Sequence, residues 1–224
     1  MQRRVQRRFQ RRERPVSYRA INATTVTLLD LLTSRFVADP LLRPFFDSGA
    51  GGSMVLSART PQEMADSNEA GLSVWLYRIA RDPELLNQPP RRVAADAYEY
   101  RPLPLRLHYL MTPVVNDPEV SGNDPGMEQF IIGKVLQSLH DTPVLHGALL
   151  GGDLAGSGSR LTVRLEPMDL EEITRVWDAM ESSYQLCISY EVSLVLIASN
   201  QAAEHLGPVL SVEPEYGVIT EVNS

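Results

Sequence analysis

The chain has 224 residues, 43% of them apolar, enough for one large domain or two small ones with a packed core. Its longest apolar stretches, such as Leu194–Ala198, fall far short of the roughly 20 residues that a bilayer span needs; the basic N-terminus leads into no apolar signal segment, and a single cysteine, Cys187, excludes an internal disulfide. The net charge of −7 is uneven: residues 1–19 hold eight arginines and one acid for a surplus of +7, which leaves −14 on the rest.

The first segment is the repeat MQRR-VQRR-FQRR-ERP. As a helix it would place Met1, Val5 and Phe9 on one stripe and the arginines on others, until Pro15 ends it. Three readings stand side by side: an arm whose Arg3, Arg4, Arg7, Arg8, Arg11 and Arg12 dock on an acidic protein surface, sequence lying upstream of a start at Val16, or a contact with nucleic acid or anionic lipid. The acidic body argues against the last. Residues 1–17 are therefore set apart as an arm.

Beyond Pro15, Ser17 offers an N-cap, and Ile21, Leu28, Leu31, Leu32 and Phe36 recur on one helical face, predicting a core helix over 18–37. Two prolines and a run of glycines make Asp39–Gly52 a loop, in which Phe45 and Phe46 are candidates to anchor it or to meet a neighbour. A short strand follows at Met54–Ser57, and the whole stretch 39–71 reads as a large mobile loop. Leu72–Ile79, apolar on both faces, fits a central strand.

Asp82–Pro104 reads as a connection leading to a strand over Leu105–Met111, where Leu105, Leu107, Tyr109 and Met111 share a face. Pro113–Pro125 is turn-rich. Met127, Ile131, Val135 and Leu139 then mark a second core helix over 126–140, and the Gly-rich stretch Gly147–Ser159 reads as a flexible loop before a strand at Leu161–Leu165. Asp169 and Glu172 have capping-box spacing at the head of a helix carrying Ile173, Val176, Trp177 and Met180, with Trp177 expected to pack on the sheet. From Gln185 to Ala198 alternation predicts one strand about 45 Å long, at roughly 3.3 Å per residue. The tail, 201–224, is expected to be extended. The fold class is α/β (α+β): a domain over 18–200 with a single mixed β-sheet flanked by about three helices.

Little in the chain points to chemistry. The stretch 151–158 lacks the lysine and hydroxyl of a phosphate-binding loop, and Ser157 between glycines misses the nucleophile-elbow spacing. His108, His140, His146 and His205 are not spaced as metal ligands, and His140 reads as a helix-end residue. Cys187 reads as a buried thiol. Glu191, an acid inside a β-prone strand, lies on a solvated face or in a polar subunit contact. No catalytic, cofactor or metal residues are expected. A small soluble enzyme with a site near 147–159 and a nucleic-acid-binding protein led by the arginine arm remain the alternatives.

Five segments carry a resemblance: Tyr18–Leu32 (YRAINATTVTLLDLL), Gly71–Ile79 (GLSVWLYRI), Pro104–Pro113 (PLRLHYLMTP), Glu128–Leu145 (EQFIIGKVLQSLHDTPVL) and Leu165–Ile197, with Trp177 and Ser189-Tyr190 in the same order. Over about 18–198 the chain resembles the N-terminal domain of the tail-terminator, or cap, proteins of extracellular contractile injection systems, the Pvc16-like family of Photorhabdus virulence cassettes and the antifeeding prophage. The arginine arm and the lack of the longer members' C-terminal domain depart from that pattern. The resemblance implies a phage tail-terminator-like fold and a structural role. It further implies a homohexameric ring assembled in the bacterial cytoplasm on sheath and inner tube proteins, at the end remote from the baseplate, with no nucleic acid, no cofactor and no membrane insertion. Extended arms that add strands to neighbouring sheets are expected in such particles, with the termini and residues 39–71 as donors.

Overall fold

The computed structural model describes residues 16–85, 89–94, 96–115, 126–202 and 204–205. The arginine repeat, the turn-rich 116–125 and the tail from 206 lie outside the described residues.

Among the described residues nine strands and five helices alternate along the chain. Helix α1 (Ala20–Val37) is followed by the single-turn α2 (Arg43–Phe46), strand β1 (Val55–Ser57), short helix α3 (Pro61–Asp66) and strand β2 (Gly71–Arg81). Then come β3 (Arg91–Arg92), β4 (Ala97–Glu99), β5 (Leu103–Val114), α4 (Met127–Asp141), β6 (Val144–His146), β7 (Arg160–Glu166), α5 (Leu170–Ala179), β8 (Ile188–Ile197) and β9 (Glu204–His205). Six strands form the main sheet in the order β1-β2-β5-β8-β7-β6, antiparallel except for the parallel pair β1 and β2. The sheet is therefore mixed, as expected. A second, three-stranded sheet β3-β4-β9 draws β3 and β4 from what read as a plain connection and β9 from the start of the tail; its strands are too short to show a period in the sequence.

Each strand of the main sheet has two distinct faces. Leu105, Leu107, Tyr109 and Met111 of β5 lie on one, in register with Val195, Val192, Tyr190 and Ile188 of β8. Over this face pack the stripe of α1 through Leu28, Leu32 and Phe36 and the stripe of α4 through Met127, Ile131, Val135 and Leu139. Every such fully buried aliphatic side chain contributes about 1.5–3 kcal/mol. The buried threonines of α1 fit because Thr24 and Thr27 donate back to the carbonyls of Ala20 and Ala23 at 2.8 and 2.7 Å. On the opposite face α5 seats Trp177, 2% exposed, against Leu110 and Cys187. The expected position of Trp177 and the Asp169–Glu172 capping box are both present, with Asp169 Oδ1 accepting the Glu172 amide at 2.8 Å.

Four expectations change. Residues 39–71 are built rather than loose: Asp47 accepts the Gly49 amide, and Thr60 and Glu63 form a capping box at the head of α3. Gly71, at φ 141°, lets β2 approach β1 so closely that a Cβ would lie 2.0 Å from the Val55 carbonyl. The Gly-rich stretch is likewise packed, with Leu150 and Leu154 buried and the Gly151 amide donating to Thr27 Oγ1 at 2.9 Å. The last long strand begins at Ile188 rather than Gln185, so its 10 residues extend about 33 Å. The 12-residue β5, reaching through Pro113 to Val114, is longer and lies beside it. Pro113 is tolerated there because it lies beyond the start of β8, where no ladder partner needs its missing N–H. Strand length thus gives no reason of its own to invoke a neighbour.

Candidate assembly surfaces and a buried polar cluster

Alternation puts Arg106, His108 and Leu110 on the α5 side of β5, next to Ser189 and Glu191 of β8 and Glu166 of β7. Helix α5 covers only the end of this face around Leu110, and charged groups occupy the rest. The Nδ1 of buried His108 lies 3.0 Å from both carboxylate oxygens of Glu166, and Ser189 Oγ donates to Oε2 of that carboxylate at 2.8 Å. The Tyr77 hydroxyl reaches the same pair, at 3.1 Å from Ser189 Oγ and 3.3 Å from Glu166 Oε2. Beside it Arg106 Nε donates to Asp82 Oδ2 at 3.1 Å while Nη1 lies 3.4 Å from Glu191 Oε2.

Burial pushes the Glu166 carboxyl up, yet the hydrogen bonds from His108 and Ser189 outweigh it and hold it below its ordinary value. Asp82 is likewise lowered: Arg106 and the Glu84 amide overcome its desolvation. Burial raises Tyr77 and Cys187, so neither is poised to ionise.

A serine, a histidine and a carboxylate in contact invite comparison with a hydrolytic triad, but the geometry differs. Ser189 and His108 both bond the carboxylate instead of each other, and His108 Nε2 is buried without a partner. The imidazole therefore does not face the hydroxyl, which is bonded to the carboxylate instead. What the cluster does is tie β2, β5, β7 and β8 together by fixed cross-strand bonds. The sequence carried a signal for it, since Arg106 and His108 interrupt the apolar run of β5.

Of the sequence-derived site residues, Arg3, Arg4, Arg7, Arg8, Arg11 and Arg12 lie outside the described residues. Phe46 closes the core edge-to-face on Phe36, with ring centroids 4.8 Å apart, and Phe45 is half-buried beside the same core. Both anchor their own chain, and Phe46 leaves no face for a neighbour. Glu191, its side chain 15% exposed, sits on an interior strand paired with Arg106 rather than on a solvated face. His140 is exposed in the last turn of α4. Among the described residues no group of three His, Cys, Asp or Glu could hold a metal ion, and no helix is long and apolar enough to cross a membrane.

The sheet's two ends are unlike. At one end β6 pairs with residues 160–162 of β7, and Pro143 accepts the Val163 amide but has no N–H to give back; Pro167 stops the strand soon after. At the other end β1 pairs only with residues 71–73 of β2. Residues 74–81 continue with β5 on one side and no strand on the other among the described residues. An open groove lined by Ala58, Trp75, Leu76 and the first turn of α1 runs beside this edge.

Comparison with known proteins agrees with this architecture. The Pvc16 N-terminal domain family matches residues 23–211. Among solved structures, the PVC sheath/tube terminator of an extracellular contractile injection system, in its extended state, superposes with a TM-score of 0.55 at 15% identity over 91% of this chain and 65% of its own. The tube-terminating cap of the anti-feeding prophage gives 0.52 at 18% identity over 91% of this chain and 62% of its own. The chain thus spans slightly less than two thirds of either structure. No curated protein sequence matches it.

Proposed function

The chain belongs to the Pvc16 N-terminal domain family, and from that premise we propose that it is the cap subunit of a contractile injection particle, closing sheath and inner tube at the end remote from the baseplate as a ring of six copies. The observation that carries the reading is the match of 91% of the chain to a sheath/tube terminator. The site geometry supports a structural task, because the buried polar cluster fastens four strands and its serine and histidine both bond the same carboxylate rather than each other. A rigid sheet with helices on both faces suits a subunit that meets several neighbours. The particle is assembled in the bacterial cytoplasm, where its sheath and tube partners are made.

Six copies of a 25.0 kDa chain weigh about 150 kDa, and a ring of them is closed by one head-to-tail contact repeated around the axis. Mass photometry of the purified chain, alone and with its tube and sheath proteins, is expected to show that species. Electron microscopy is expected to find it on one end of the tube. A monomer persisting in every mixture counts decisively against the proposal.

A further inference from the structure

We propose that the free edge of β2, residues 74–81, accepts a strand from the C-terminal stretch 206–224 of a second copy of this chain, which makes it the head-to-tail contact of the ring; the inference deepens the cap reading and rests on it. The edge is open by construction. Leu72 faces β1 through its backbone, and the pairing of Ser57 with Ser73 takes up the Val74 N–H, so with the alternation of a strand the Val74 C=O and both backbone groups of Leu76 lie on that same side, past the end of β1. The irregularity between Leu76 and Arg78 shifts the pattern by one. Thereafter Arg78 and Ala80 turn to β5, opposite His108 and Arg106, while Ile79 and Arg81 turn outward. Four residues thus offer seven backbone groups along about 26 Å. Ile79, 49% exposed, marks the middle.

The donor is specified by charge and pattern. The edge carries exposed Arg78 and Arg81, with Arg19 at the mouth of the adjoining groove. Residues 206–224 contain Glu213, Glu215 and Glu221 and no lysine or arginine. Tyr216, Val218, Thr220 and Val222 alternate as a strand does, while Pro208 and Pro214 confine pairing to the part beyond them. Seven residues, 216–222, cover about 23 Å of the edge, and the ten before them reach up to about 33 Å from β9, enough to cross to a neighbour. A ring of more than two copies needs two different surfaces on each subunit, one giving and one receiving. The edge of β2 and the acidic tail are such a pair, and backbone pairing sets their register.

The test uses full-length chains. Ile79→Cys protein is mixed with Val218→Cys protein under mild oxidation, the buried Cys187 serving as a spectator present in both. A disulfide-linked heterodimer that forms only on mixing is expected. A doubly substituted chain that closes on itself as a monomer would show the tail docked on its own edge and overturn the proposal, as would the absence of any cross-link. Ile79→Pro removes one outward N–H and spares the β5 ladder; it is expected to abolish assembly with an unchanged melting temperature, and rings of normal mass from that variant would also refute the contact. Rings without the cross-link sink this inference and leave the cap reading standing, whereas cross-linked chains that never close sink the ring and leave the edge contact.

Discussion

Trp177 carries the packing of the face opposite α1 and α4, where α5 touches the sheet through little else. It contacts Leu110 and Cys187, with Ile173, Val176 and Met180 around them. Trp177→Ala is expected to cost about 3–5 kcal/mol by leaving a cavity, read from urea denaturation, and assembly should fail with the fold. Unchanged stability with lost assembly would make Trp177 an interface residue instead. The polar cluster makes a second prediction. Glu166 is held below its ordinary 4.5 in the fold, so it binds its proton more weakly folded than unfolded. Its stabilisation is complete above the unfolded value and drains away as pH falls through the folded one. Melting temperatures of the native chain should therefore fall more steeply below about pH 4.5 than those of Glu166→Gln, which has no such proton to gain. Parallel slopes would remove Glu166 from the acid response.

Periodicity exposed some elements and hid others for physical reasons. Helices α1, α4 and α5 and strands β2, β5 and β7 were legible because each buries a stripe or a face against one neighbouring layer. The segment 39–71 was not, since its order rests on caps, on short helices and on the close approach at Gly71, features with no period. Gly71→Val is the direct check. The conformation at φ 141° and the Val55 carbonyl together should make it cost about 3 kcal/mol or more and release β1 to protease. Gly71→Ala should do much the same, as the clash begins at Cβ. The end of β8 was misread in the other direction, because the alternation continues through Leu186 into chain that leaves the sheet. The network around His108 was overlooked for a different reason: its members come from four strands and meet only in space. Val16 fixes a further boundary. It is buried and bridges Ile197, with its carbonyl taking the Ala198 amide at 2.8 Å. Deleting residues 1–15 should leave the melting temperature unchanged, whereas deleting 1–17 should lower it measurably by thermal denaturation.

Seen whole, the molecule sets a basic leading segment of +7 against a remainder of −14. Attraction between them acts over a Debye length of about 8 Å at physiological salt. Removal of residues 1–15 is expected to leave ring mass intact and to weaken only the attachment to acidic neighbours, a difference visible at low salt and gone at high salt. Loss of soluble rings would make the segment integral to the particle. The unequal ends of the sheet bear on which assemblies are closed to the chain. A strand edge left bare invites its twin, and two copies joined edge to edge about a two-fold axis would use up both edges and stall as a dead-end pair. Whatever the register, such pairing brings the exposed Arg78 and Arg81 of both copies onto one seam, so like charges oppose the symmetric dimer. At the far end Pro143 and Pro167 blunt the remaining edge. The chain is thereby guarded against pairing with its own two-fold mate, which leaves its open edge to an unlike strand.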